Sequence, residues 1–261
     1  MSIGGDVLSK VNHTVGEAQS KLTVIKSTSV ESTLHIVFST DCSAYQDWQS
    51  LLVFHSARQV GQMGRITRIA SGCDDKKKKE LRELYQRLWD HEYDAHFTPD
   101  FKRTADGRTY DFYNKPYGVR HWIKEYASKM ENGHDMVVAI IDPDFVFLRP
   151  LTLNISCNPN NIFYREETPN IVPEKVREGV AVGQLYGLGA PWVKSRRDFN
   201  KSNICPPGSP CLTTTKEFGE EHYSVGPPYL LHIKDLTRLT YAWCEMVPKV
   251  YQGYPELLAE M

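Results

Sequence analysis

Six consecutive apolar residues, Met136-Val-Val-Ala-Ile-Ile141, run directly into Asp142-Pro143-Asp144. A stretch that is apolar on both faces of its pleat reads as a fully buried strand, as central strands of parallel sheets are. It is far shorter than the ~20 residues that span a bilayer. Two β-branched and aromatic runs, Leu34–Thr40 and Ile66–Ala70, read as further strands. Between and after them come helical spacings. Trp48, Leu51, Leu52 and His55 fall in Ala44–Val60. Leu81, Leu84, Tyr85 and Leu88 fall in Lys77–His91. Val119, Trp122, Ile123 and Tyr126 form a third set. Strands alternating with helices predict an α/β sheet, and ligands in such sheets sit beyond the carboxyl ends of strands. The segments after Thr40 and after Ile141 are therefore the ones to search.

The second half is less regular. A short strand is expected near Ile162–Tyr164, and strand and turn over Gly179–Tyr186. Gly226-Pro227-Pro228 reads as a turn before a buried strand, Tyr229–Ile233. Leu236, Leu239, Trp243, Val247 and Val250 then follow at helical spacing. Trp48, Trp89, Trp122 and Trp243 all lie in helical patterns and read as core. Residues 1–33 are polar without a sustained period, and read as a flexible tail or stem ahead of one domain, 34–261.

Lysine and arginine number 31 against 32 acids, a formal charge of −1. No global basic field favours nucleic acid or an anionic membrane. The run Lys76–Lys79 enters a helical pattern and reads as a solvated face. No P-loop, GxGxxG, GxSxG or HExxH string occurs, which weighs against NTPase, dehydrogenase, serine hydrolase and zincin chemistries. A nucleotidyltransferase would want a glycine-rich basic loop after the first strand, and Ser39–Ser43 has neither glycine nor a basic residue. Six cysteines include Cys205-Pro-Pro-Gly-Ser-Pro-Cys211, whose curled loop suits a short disulfide. Sequons at Asn12, Asn154 and Asn200, with the even cysteine count, tilt the chain towards the secretory pathway.

The Asp142/Asp144 pair leaves a buried strand at its carboxyl end, with Phe145–Leu148 reading as another strand beyond. Hard divalent cations take such oxygen ligands, and a metal held there can bridge a diphosphate. The plainer reading is a solvated turn between strands. Asn114 and Lys115 precede the third helix, where Asn114 can cap or either residue can face an anion. Asp41 can bind a base or ribose, or cap the next helix. His222 and His232 flank Gly226-Pro-Pro, as core residues or, for His232, as a metal ligand.

Six segments together resemble a known family: Phe38–Gln49 (FSTDCSAYQDWQ), Gly64–Cys73 (GRITRIASGC), Tyr113–Trp122 (YNKPYGVRHW), Ile140–Leu151 (IIDPDFVFLRPL), Val182–Val193 (VGQLYGLGAPWV) and Ser224–Leu239 (SVGPPYLLHIKDLTRL). This is similar to the peptidyl serine α-galactosyltransferases, relatives of the hydroxyproline O-arabinosyltransferases. The resemblance covers about Leu34 to the end. It implies a GT-A-like glycosyltransferase fold, with a mixed, mostly parallel sheet flanked by helices. It implies a UDP-sugar donor, UDP-galactose foremost, with Mn2+ or another divalent cation as cofactor. The acceptor it implies is serine in a hydroxyproline-rich glycoprotein, modified in the Golgi or ER lumen. The alternatives are a hydroxyproline O-arabinosyltransferase and a non-catalytic module that binds nucleotide sugar or glycoprotein. Carried over by motif, Asp144 is the expected metal ligand, with Asp142 beside it and facing the sugar or ribose. Asn114, Lys115 and Asp41 lie at the donor, and Gln184 and Tyr186 in the sugar or acceptor pocket. Cys42–Cys73 and Cys205–Cys211 are the implied disulfides. The family usually carries a membrane anchor, and no such segment is expected in this chain. The end, Leu257–Met261, resembles the opening of a family helix that normally runs on, so the domain is expected to be incomplete at its C-terminus. Glu260 is the expected catalytic acid there.

Overall fold

In the computed structural model, the described residues are 33–89, 93–103, 107–130, 133–153, 175–185, 200–222 and 224–253. The expectations at Ile162–Tyr164, Tyr186 and Glu260, and those for the segments 1–32 and 254–261, lie outside them.

Six strands form one sheet in the order β3-β2-β1-β4-β6-β5. They are β1 (Thr33–Thr40), β2 (Arg65–Ser71), β3 (Tyr93–Thr98), β4 (Met136–Ile141), β5 (Val182–Leu185) and β6 (Val225–His232). The first four run parallel, and β6 lies antiparallel between β4 and β5. The helices are α1 (Ala44–Gln59), α2 (Asp75–Trp89), α3 (Asn114–Glu125), α4 (Lys216–His222) and α5 (Ile233–Gly253). This is the expected mixed, mostly parallel sheet flanked by helices, and β4 is buried along its whole length as its composition requires.

Period-two alternation divides the core between the two faces of the sheet. Val137, Ala139 and Ile141 join Ile36, Phe38, Val53, Phe54, Leu81 and Tyr85 under α1 and α2. Met136, Val138 and Ile140 join Val37, Ile69, Val119, Trp122 and Leu236 under α3 and α5. Gly118 permits the close seating of α3 on β2, because a Cβ there would stand 3.1 Å from Ile69 Cγ2. Trp122 is core as expected, and Trp243 packs half-buried against the same cluster. Trp48 is not core: half of it is exposed on α1. Leu88 is likewise exposed, although its spacing matches that of the buried Leu81 and Tyr85. The Trp89 side chain lies outside the described set.

Phe145–Leu148 is not a strand. Its side chains alternate as in a strand, with Phe145 and Phe147 packed on the core and Val146 and Leu148 outward. Its backbone, however, is held by side chains. Phe147 N donates to Ser56 Oγ at 3.1 Å, and Leu151 N donates to Gln62 Oε1 at 2.6 Å. Gly226-Pro-Pro is not a turn before β6 but part of it. Gly183 pairs with Tyr229 and Gln184 with Gly226, so both prolines fall in the register shift. Proline has no N–H for a ladder, and an irregularity is where a strand tolerates it. The β3 strand, unmarked by any turn signal, completes the parallel edge.

His35 on β1 is buried and bonds Thr67 Oγ1 at 2.8 Å through Nε2, while Nδ1 has no partner among the described residues. Burial, then the Arg65 charge, lowers its pKa to about 3. The unfolded chain, with an ordinary histidine, takes up a proton first as pH falls. Stability is therefore full above about pH 6.5 and declines at up to ~1.4 kcal/mol per pH unit towards pH 3. Urea unfolding at pH 7 and pH 5.5 tests this. The loss of stability should be about 1 kcal/mol smaller in His35→Gln than in wild type, and equal losses would remove His35 as the cause.

Candidate functional site

A cavity of about 510 Å³ opens beyond the carboxyl ends of β1 and β4. One wall is the exit of β1 and the first turns of α1. Ser43 caps α1, accepting from Gln46 N at 3.3 Å. Asp41 braces this cap, since its Oδ1 accepts from Ser43 N at 2.8 Å and from Ser43 Oγ at 2.6 Å. Asp41 is thus a brace for the capping residue rather than the cap itself, and it remains exposed at the cavity. Tyr45, Gln46 and Gln49 continue the wall. Gln49 is buried and donates to Tyr45 OH at 3.3 Å, while the Oε1 atoms of Gln46 and Gln49 have no partner among the described residues.

Behind this wall lies Arg68 of β2, fully buried. Its guanidinium donates to Thr40 Oγ1 at 2.7 Å, and to the Asp41 carbonyl, Asp47 Oδ1 and Tyr85 OH at 2.8 Å each. Burial raises the Tyr85 pKa, so the phenol stays protonated and accepts with its lone pairs. Lys77 also pairs with Asp47, so one lysine of the basic run turns inward while Lys76 and Lys79 meet Glu80 and Glu83 on the surface. The Cys42–Cys73 disulfide ties the same β1–α1 turn to the segment after β2, and Cys205 pairs with Cys211, both as expected.

The opposite wall is the exit of β4 and the start of α3. Lys115 Nζ donates to Asp142 Oδ1. Asp144, two residues on, is exposed at the cavity. Asn114 is the first residue of α3 and does not cap it. Its Oδ1 accepts from Phe101 N at 2.8 Å and its Nδ2 donates to Asp100 Oδ1 at 3.3 Å, so it fastens the chain after β3 to the cavity wall. Asp111 and Phe112 complete the lining. Asp41, Asp111, Asp142 and Asp144 face the cavity with Lys115, four carboxylates to one ammonium, a balance that attracts cations.

The structure thus brings Asp41, Asn114, Lys115, Asp142 and Asp144 together. His232 is elsewhere. It is buried opposite Val137, with Nε2 3.1 Å from Asp135 Oδ1, at the amino end of β4. Asp142 lies five residues further along, roughly 16 Å at strand rise. The antiparallel direction of β6 puts its histidine at the wrong end of the sheet for a metal held by Asp142 or Asp144. Gln184 is exposed on β5 just past the level of Ile140, at the same edge as Asp142 but two strands away, and it does not line the cavity. Asp111, Tyr45, Gln46, Gln49 and Phe112 line it without having been singled out in the sequence. The signal for Gln46 and Gln49 was their spacing on the first turns of the helix that leaves β1.

The donor set fits a hard divalent cation. It is oxygen only, at a strand exit, in a cavity of excess negative charge. Among the described residues no group of three His, Cys, Asp or Glu converges. Two carboxylates suffice for an ion that takes its other ligands from a diphosphate and water.

Fold and site together define an α/β protein with an acidic ligand cavity at the carboxyl edge of a mostly parallel sheet. The hydroxyproline O-arabinosyltransferase family N-terminal domain matches residues 34–170, and the chain belongs to this family. It is 35% identical over 121 residues to a peptidyl serine alpha-galactosyltransferase of Arabidopsis thaliana, covering 46% of this chain and 14% of that protein. It is 29% identical over 215 residues to a peptidyl serine alpha-galactosyltransferase of Chlamydomonas reinhardtii, covering 80% of this chain and 24% of that protein. The chain therefore spans a quarter or less of the length of these relatives. A solved structure of the bifunctional glycosyltransferase WbbM aligns over 85% of this chain and 37% of its own, at 10% identity and a TM-score of 0.43. Among the described residues no helix is long and apolar enough to cross a membrane.

Proposed function

We propose that the chain is a metal-dependent glycosyltransferase domain that moves galactose from UDP-galactose onto serine of hydroxyproline-rich glycoproteins. The observation that carries this is the acidic cavity at the exits of β1 and β4, with Asp144 exposed and unpaired among the described residues and Asp142 neutralised by Lys115. Membership of the family and the galactosyltransferase names of the two relatives support the sugar-transfer reading. The two disulfides fit an oxidising lumen, so the reaction is assigned to the secretory pathway.

In this reading Asp144, with Asp142 beside it, holds Mn2+ or a similar ion. When bound, that ion supplies Lewis-acid stabilisation of the departing diphosphate. The bond between sugar C1 and the β-phosphate oxygen breaks, and its electron pair leaves with UDP. A bond forms from C1 to the serine Oγ, whose proton passes to the departing β-phosphate oxygen. Lys115 starts on Asp142 and carries an ammonium that can follow the charge developing on the diphosphate. Asn114 keeps the wall in place through Phe101 and Asp100, and Asp41 orders the β1–α1 turn beside the donor.

Calorimetric titration of UDP and UDP-galactose, first with manganese and then with EDTA, tests the proposal. Saturable binding that EDTA abolishes is expected. A folded sample that binds neither nucleotide with manganese would overturn it. The family's own description favours a second donor, an arabinose nucleotide. Tighter binding of UDP-arabinose than of UDP-galactose in the same titration would select it.

A further inference from the structure

Two aromatic side chains stand in the open at the rim of the cavity. Tyr45 and Trp48, one helical turn apart on α1, are 59% and 50% exposed. Their ring centroids are 5.7 Å apart and their planes meet at 82°. Apolar surface of this size is costly to leave in water, and folding has not covered it. Nor are the rings loosely placed. Gln49 donates to the Tyr45 hydroxyl from a buried position, and the capped first turn of α1 sets the backbone under both residues. Across the cavity Phe112 is 40% exposed.

Two aromatic rings meeting near a right angle form a corner rather than a flat plate. A flat base or sugar stacks on one face. A puckered pyrrolidine ring, thick in every direction, can rest in the angle between two. Polyproline-II segments dock on aromatic-lined surfaces in this manner, and their preformed helix loses little entropy on binding. Gln49, whose buried Oε1 has no donor among the described residues, backs this corner through the Tyr45 hydroxyl. Tyr45 belongs both to the corner and to the cavity lining, so a segment seated on Trp48 leads directly into the site.

We infer that the Tyr45–Trp48 corner is an acceptor-docking surface, which seats a proline or hydroxyproline ring of a polyproline-II segment flanking the residue to be glycosylated. The inference rests on the reading of the cavity as a sugar-transfer site and adds how the acceptor is held.

Binding of a fluorescein-labelled peptide with one serine between hydroxyproline runs tests it, with manganese–UDP binding measured on the same samples. The control peptide replaces hydroxyproline by alternating glycine and alanine. The expected result is saturable binding of the hydroxyproline peptide alone. Trp48→Ala should weaken it about tenfold or more, Trp48→Tyr should restore most of it, and manganese–UDP affinity should stay unchanged in both. Thermal unfolding at the wild-type temperature would show the variants folded, as expected for a half-exposed residue. Three outcomes overturn the inference while the transferase reading stands. The wild type fails to bind the peptide yet binds manganese–UDP; Trp48→Ala binds the peptide as the wild type does; or Trp48→Ala loses nucleotide in step with peptide, which would assign Trp48 to the donor. A wild type that binds neither peptide nor nucleotide removes the transferase reading itself.

Discussion

Replacing Asp144 by Asn should abolish the proposed manganese-dependent UDP binding and leave the fold intact. The substitution keeps the size of the side chain and removes one full negative charge from an exposed position at the mouth of the cavity. Nothing among the described contacts of the core depends on that charge. What depends on it is the attraction for a hard cation, which takes charged oxygen far more strongly than amide oxygen. Asp142 does not compensate, because Lys115 already neutralises it. Affinity for UDP in manganese should fall about a hundredfold or more, with the EDTA baseline unchanged. Unchanged affinity in manganese would remove Asp144 from the metal site. Asp142→Asn should act differently. It releases Lys115, so part of the nucleotide affinity should persist through the freed ammonium even as the manganese dependence weakens.

Arg68→Met destabilises the fold by about 3 kcal/mol or more and weakens nucleotide binding at the same time. The methionine fills much of the volume but makes none of the four hydrogen bonds to Thr40, Asp41, Asp47 and Tyr85. The Asp41 carbonyl and the Thr40 hydroxyl then lose this donor, each at a cost of ~1–3 kcal/mol before relaxation, and the Tyr85 phenol loses one of its partners. Asp47 keeps Lys77, which limits the damage on that side. Thr40 and Asp41 line the cavity, so the wall should loosen where the proposal seats the donor. Lysine does not rescue, since one ammonium cannot reproduce a planar fork aimed at four acceptors. Urea unfolding of the two variants, alongside nucleotide titration below the transition, checks both effects. A stability within ~1 kcal/mol of wild type would show the cluster to be energetically idle.

Most of the frame was legible because it rests on local periodicity. The helices α1, α2, α3 and α5 carry helical spacing, and the strands β1, β2 and β4 are short β-branched or wholly apolar runs. Where reading failed, the competing force was non-local. Phe145–Leu148 alternates like a strand, yet Ser56 takes the Phe147 N–H that a neighbouring strand would have taken, and Gln62 holds Leu151 N just beyond. The Gly226-Pro-Pro signal was a local one for a turn, and β5 absorbed it in a register shift instead. Trp48 carries helical spacing, but spacing does not say which face a neighbour will cover.

The candidate site divides along the same line. Asp142 and Asp144 follow from the sequence, because a buried strand must end and the residues after it must face the carboxyl edge. Asn114 and Lys115 could be named, but their employment could not. Lys115 meets a carboxylate 27 positions away and Asn114 holds a loop 13 positions back. His232 shows the converse. Its chemistry suits a metal, and only the antiparallel direction of β6 sends it to the far end of the sheet. Arg68 reads in sequence as a charge inside a strand, with nothing to mark it as the fixture behind the cavity wall. By itself, then, the sequence determined the elements, the α/β class and the acidic exit of β4, because these depend on residues near one another in the chain. Only the tertiary structure decided which distant side chains face that exit, because strand order and direction set the distances over which charges and hydrogen bonds act.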